Sequence, residues 1–135
     1  MENYNPITQE VLEKLNALVG EKYVWTDPDH LEQYKTDEET DPRLFRTPEA
    51  VVAPETTEQV AAIMKLANQY GFPVTPRSGG TSVSDGAIAV CGGLVLLLER
   101  LDKIEKVDAD GMYLIAQAGV PTVKVQEAAR AVGLF

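Results

Sequence analysis

The stretch PRSGGTSVSDGA, residues 76–87, concentrates the groups in this chain that could do chemistry. It holds adjacent glycines at Gly79 and Gly80, a third at Gly86, hydroxyls on Ser78, Thr81, Ser82 and Ser84, one acid, Asp85, and one cation, Arg77. Consecutive glycines let backbone N–H groups turn toward one point and let a ligand approach without meeting a Cβ. Anions, phosphates above all, are the usual guests of such a nest, with hydroxyl donors and an arginine as natural helpers. A plain Gly/Ser surface turn has the same composition. Two features favour the cradle: the loop is longer than a tight turn needs, and it follows a buried strand of a strand–helix–strand unit, where phosphate loops tend to sit. It is neither of the two familiar phosphate motifs. Gly-Lys-Ser/Thr is missing, and the spacing is not G-x-G-x-x-G opening a helix.

The remaining chemistry-bearing residues form no second constellation. There is no Ser/His/Asp set and no cluster with metal-ligand spacing. The single histidine, His30, falls in an acidic, proline-punctuated segment and reads as a solvated side chain. Cys91, ahead of Gly92-Gly93, reads as a small semi-buried residue, and the acidic pair Glu38-Glu39 as a solvated face.

The elements around the loop follow from apolar spacing. A helix is expected from about Thr8 to Val19, with Val11, Leu12, Leu15, Leu18 and Val19 on one face and Gly20 after it. Residues 26–49 read as an extended or loosely ordered connector with a short helix around Leu31 to Tyr34. AVVAP reads as a buried strand. Thr56 and Gln59 have capping-box spacing, and Val60, Ile63, Met64 and Ala67 make an amphipathic stripe that stops at Gly71. FPVTP is a second strand, so residues 50–76 form a βαβ unit with a parallel pair. After the loop come AIAV, a Gly92-Gly93 turn and the strand LVLLLE. KIEKV and MYLIAQAG follow as a hairpin turning at Asp108–Gly111. A last helix starts near Thr122, carries Val125, Ala128, Ala129 and Val132 on one face, and closes at Gly133. The fold class is α+β: a small mixed sheet with a βαβ unit and flanking helices.

Composition bounds the partners. The chain has 135 residues and a formal net charge of −9. It carries no basic stripe, which argues against nucleic acid or an anionic membrane surface. The run Leu94–Leu98 is too short to span a bilayer, MENYNPITQE lacks the pattern of a signal peptide, and a single cysteine suits a reducing compartment. The expected location is the cytoplasm.

From Val51 to Ile104, VVAPETTEQVAAIMKLANQYGFPVTPRSGGTSVSDGAIAVCGGLVLLLERLDKI closely resembles the start of the FAD-binding domain of the FAD-linked oxidases, the vanillyl-alcohol-oxidase superfamily. It is most similar to the branch with the flavoprotein subunit of glycolate oxidase and the D-lactate dehydrogenases. VVAPETTEQV looks like that family's first strand and helix, FPVTPRSGGTS its pyrophosphate loop, and AQAGV a second flavin-contacting turn. The resemblance covers roughly residues 20–135. It implies that backbone amides of Arg77, Ser78, Gly79, Gly80, Thr81 and Ser82 hold the FAD pyrophosphate, with the Thr81 and Ser82 hydroxyls assisting. Val74 and Pro76 would border the cofactor, Ser84 and Gly86 would lie along the flavin–ribityl side, and Ala118, Gly119 and Val120 would supply the second turn.

Two positions depart from the family's usual pattern: Asp85 stands where a glycine is common and Ala118 where a proline is. Relatives that tether FAD from this loop resemble RSGGHS, and here Thr81 takes the histidine's place, which implies non-covalent FAD.

Residues 1–48 thus read as an N-terminal helix and acidic connector, and the resemblance implies 49–135 as an incomplete FAD-binding domain of the PCMH type. The groups that bind substrate would lie in a part not present here. The full enzyme would oxidise a D-2-hydroxy acid such as glycolate or D-lactate. Leu134-Phe135 reads as the start of a further element, and the fragment is expected to form a homodimer. The competing reading is a non-catalytic module that self-associates or binds a partner subunit without FAD.

Overall fold

The computed structural model describes residues 4–38 and 41–135. Glu39, half of the acidic pair discussed above, lies outside the described residues.

Four strands form one sheet: β1 (Val24–Trp25), β2 (Ala50–Val52), β3 (Val74–Arg77) and β4 (Leu94–Leu97), in the order β1-β2-β4-β3. β2 and β3 are therefore not hydrogen-bonded neighbours as expected from the βαβ reading. β4 lies between them, parallel to both, with Ala50 and Val74 flanking Leu94 and Val52 and Pro76 flanking Leu96. The reason is physical. Every β4 residue is apolar and buried, which only a strand covered on both faces and both edges can satisfy. Pro76 has no N–H to give to a ladder, so β3 belongs at an edge. β1 runs antiparallel to β2 (Val24↔Val52, Trp25↔Val51) and was not foreseen, because two residues carry no readable period.

One face of the sheet is covered by α1 (Gln9–Val19) and α3 (Thr57–Tyr70). Val11, Leu15 and Val19 of α1 meet Ile63, Leu66 and Ala67 of α3 over Ala50, Val52, Leu94 and Leu96. The stripe expected on α3 is corrected at one position. Met64 is exposed and Leu66 is buried, so the inward face runs through Ile63, Leu66, Ala67 and Tyr70. Thr56 Oγ1 accepts from the Gln59 amide at 3.2 Å, half of a capping box. The Gln59 side chain instead accepts from the Glu55 amide and donates to the Leu18 carbonyl, tying α3 to α1.

The other face exposes Val51, Ala53, Val95 and Leu97, which need a cover. The segment read as a loose connector supplies it. Asp27 caps α2 (Pro28–Leu31) by accepting from the His30 amide at 2.9 Å, and a 3-10 turn follows at Glu32–Tyr34. Leu31 is buried against this second core, with Tyr23, Trp25 and Tyr34 packed around it. His30 is not a free solvated side chain: its ring stacks on Trp25 at 4.7 Å and 9°. Ala87–Ala89, after the glycine loop, are buried without forming a strand. Cys91 is exposed, not semi-buried.

β5 (Ile104–Asp108) and β6 (Tyr113–Ala116) pair as a separate antiparallel hairpin with an irregularity between Ile104 and Lys106, and α4 (Thr122–Ala131) lies against it. No helix among the described residues is long and apolar enough to cross a membrane.

Candidate functional site

The glycine loop leaves β3 at Arg77 and is held from within. Ser82 Oγ accepts from the amides of Ser84 (3.3 Å) and Gly86 (3.2 Å), which organises the far side of the loop. Asp85 sits in the left-handed region at φ 60°, the conformation a glycine adopts without cost. Arg77 differs from expectation. Its Nη1 donates to the carbonyls of Thr36 (2.7 Å) and Ala87 (3.3 Å), and its guanidinium lies 5.5 Å from the Tyr34 ring centre. The cation braces the loop from below. Gly80 closes over it at φ +69°, and a Cβ there would overlap Nη2 and lie 2.7 Å from Cζ.

Tyr34 titrates above its ordinary value, first because it is partly buried and second because Glu99 is near; Arg77 opposes both. Its phenol therefore stays neutral at physiological pH.

The second turn, Gln117–Val120, is set by a close approach. The Gly119 amide donates to Leu101 O at 2.9 Å and Val120 N to Gln117 O at 3.2 Å. A Cβ on Gly119 would overlap the Leu98 carbonyl oxygen and lie 2.9 Å from Leu101 O. This contact brings the turn across to the end of β4 and opposite the glycine loop. Between them lies a cavity of about 320 Å³ lined by Ser78, Gly79, Gly119, Glu99, Asp102, Pro121 and Lys124.

The structure thus brings Ser78 and Gly79 together with Gly119 on one cavity. Pro76 and Ala118 line a neighbouring groove of about 400 Å³ with Thr57, Val60, Leu96, Leu98, Leu101, Glu105 and Gln117. Thr81, Ser84 and Gly86 are exposed on the loop surface, and Val120 is half-buried. Val74 is not brought to either cavity: it packs on the first core at the opposite end of β3. Glu99, Asp102 and Lys124 were missed by sequence reasoning, and no spacing signals them. The chain must fold back after β4 before these charges share a wall.

Two carboxylates and one ammonium leave that wall net acidic, with Lys124 paired to Asp102 at 3.6 Å. An anion must therefore be held by the backbone. Among the described residues the amides of Ser78, Gly79, Gly80 and Thr81 donate no hydrogen bond, and a Cβ on Gly79 would find open space. The first turn of α4 adds its dipole from the facing side. The donors present fit a diphosphate.

In class, this is a mixed sheet between helical covers that carries a glycine-loop cradle at the end of an edge strand, and comparison with known proteins gives it a family. Residues 48–135 match the FAD binding domain family, and the chain belongs to that family. FAD is the cofactor this membership assigns.

The glycolate oxidase subunit GlcD of Bacillus subtilis is 29% identical over 129 residues, covering 96% of this chain and 27% of that protein. The D-2-hydroxyglutarate dehydrogenase of Xanthomonas citri pv. viticola is 40% identical over 109 residues, 81% of this chain and 23% of that protein. Among solved structures, p-cresol methylhydroxylase with substrate bound superposes with a TM-score of 0.78 at 24% identity, covering 94% of this chain and 26% of that one. An alkyldihydroxyacetonephosphate synthase gives 0.81 at 18% identity, over 97% and 26%. At those identities the likeness shows the fold. The chain spans about a quarter of the length of the relatives it matches. The resemblance read from the sequence and its α+β class are borne out.

The acidic wall makes a prediction of its own. Glu99→Gln is expected to tighten binding of FAD or ADP by about three- to tenfold at low ionic strength, with the gain shrinking as salt is added. Titration at two salt concentrations checks both the direction and the screening.

Proposed function

We propose that this chain holds the FAD of an oxidoreductase that acts on a D-2-hydroxy acid such as glycolate or D-lactate. The convergence of Ser78, Gly79 and Gly119 on one cavity, with successive unpaired amides along the glycine loop, carries the proposal. Amides from Arg77 to Ser82 bind the pyrophosphate, and the Thr81 and Ser82 hydroxyls add donors. The Arg77 side chain shapes the loop rather than meeting the anion. Pro76 and Ala118 border the cofactor from the adjoining groove, Ser84 and Gly86 face its ribityl side, and Gly119 and Val120 form the opposite wall. Val74 acts through the packing of β3.

When bound, the flavin supplies two-electron oxidation of the substrate carbon–hydrogen bond. This chain's residues bind and orient it, without a covalent tether. The base that takes the hydroxyl proton and the groups that recognise the acid belong to the rest of a longer cytoplasmic enzyme, in which residues 49–135 are one part of the FAD domain and residues 1–48 precede it. The choice of a D-2-hydroxy acid is supported by relatives named as glycolate oxidase, D-lactate dehydrogenase and D-2-hydroxyglutarate dehydrogenase.

The absorbance spectrum of the purified chain between roughly 350 and 500 nm, before and after adding FAD and desalting, tests this reading. Retained flavin bands that ADP or pyrophosphate competes away support it. Retained ADP with no flavin would indicate a binder of another phosphorylated ligand.

A second reading has its own observation. Met112, Tyr113, Leu134 and Phe135 line an apolar cavity of about 280 Å³ between the hairpin and α4, and Met112 and Phe135 are exposed. In that reading the chain forms a homodimer through this face, or docks on a partner subunit, and holds no FAD. A colourless protein whose mass by light scattering falls on dilution would favour it.

A further inference from the structure

We propose that residues 34–38, which precede the family match at residue 48, are a strap that presets the glycine loop for FAD, with Tyr34 as its positioning residue. The inference rests on the FAD reading of that loop but concerns a different segment.

A carbonyl, a ring and an amide of the strap meet the loop. The Thr36 carbonyl accepts from Arg77 Nη1 at 2.7 Å, the Tyr34 ring lies 5.5 Å from the same guanidinium, and the Glu38 amide donates to Ser82 O at 3.0 Å. The first two grip the cation over which Gly80 closes. The third holds the residue whose hydroxyl organises Ser84 and Gly86. Both ends of the cradle are therefore fixed by one short segment more than 40 residues away in sequence.

The strap is itself anchored. His30 packs on Tyr34 at 5.8 Å and on Trp25 at 4.7 Å, and Trp25 belongs to β1 and pairs with Val51 of the sheet. From the other side the Arg46 amide donates to Lys35 O at 2.9 Å. A ladder of Trp25, His30, Tyr34 and Arg77 thus runs from the sheet to the underside of Gly80. A Gly/Ser loop loses much conformational freedom when it binds a ligand. A loop already held in one shape loses less on binding, and this is the benefit of preorganisation.

The test compares Tyr34→Leu with Tyr34→Phe. Leucine keeps apolar bulk and removes the ring; phenylalanine keeps the ring face that receives the guanidinium. Hydrogen exchange of the Ser84 and Gly86 amides, the loop amides bonded to Ser82 Oγ, is measured without FAD, beside the FAD affinity and the thermal midpoint. Tyr34→Leu is expected to speed loop exchange and weaken FAD by about tenfold, while Tyr34→Phe stays within about twofold of the unmodified chain on both. If Tyr34→Leu does not fold, His30→Ala, which removes the middle rung, decides on the same loop exchange: faster exchange supports the strap, unchanged exchange overturns it. Loop exchange unchanged in a folded Tyr34→Leu also overturns it. Because exchange is read without cofactor, the outcomes separate. Dependence on Tyr34 in a chain that never binds FAD would keep the strap and discard the FAD reading.

Discussion

Gly119→Ala is expected to lower the stability of the chain by about 3 kcal/mol, roughly 10 °C in thermal midpoint. A methyl at this position has no free volume to enter, since it would overlap the Leu98 carbonyl oxygen and crowd that of Leu101. Both neighbours are backbone atoms in turns, so no side-chain rotamer can relieve the clash. The turn at 117–120 must lift away, which breaks the 2.9 Å bond from the Gly119 amide to Leu101 O, worth about 1 kcal/mol. The same displacement opens the cavity between Gly119 and Ser78-Gly79, so flavin binding should fall with stability. A thermal midpoint within a degree or two of the unmodified chain would mean that the two turns do not meet as described.

Gly80→Ala is expected to act more on binding than on folding. The left-handed φ of +69° costs an alanine about 1 kcal/mol. The methyl would also meet the Arg77 guanidinium. That group ends a flexible side chain and can move, but moving it gives up the bonds to Thr36 O and Ala87 O. Together these amount to about 2 kcal/mol. FAD affinity should drop by about a hundredfold, roughly 2.7 kcal/mol, because the amides at 78–81 no longer converge. Calorimetric titration beside a melting curve separates the two effects. An affinity loss no larger than the stability loss predicts would show that Arg77 does not set the loop's shape.

How much of this was legible depends on which physical demand each residue carries. Thr8, Gly20, Thr56 and Gly71 mark the helix ends because capping and left-handed termination are local needs. The glycine loop stood out for the same reason: adjacent glycines advertise backbone demands that a sequence can display. The placement of β4 between β2 and β3 is a competition among strands for the centre of a sheet, decided by Pro76 and by four buried β4 side chains, and local spacing does not settle such a contest. On α3, Met64 and Leu66 differ only by where the helix rotates against α1.

The inward turn of Arg77 could not be read, because its partners at Thr36 and Ala87 are carbonyls that every residue has. Nor could the cover formed by residues 25–37, whose Trp25, His30 and Tyr34 share no helical or strand period yet meet as a stack. Glu99, Asp102 and Lys124 look like any solvated charges until the turn after β4 places them on the cavity wall.

The central claim is that one cofactor phosphate site is built from the glycine loop and the Gly119 turn together. Amide chemical shifts of the isotopically labelled chain, followed as FAD is added, test it most directly. The account predicts the largest changes at Ser78, Gly79, Gly80, Thr81 and Gly119, saturating with a single affinity, while α1 and the far end of β3 at Val74 stay still. Shifts confined elsewhere, or a glycine loop unmoved at saturating FAD, would contradict it.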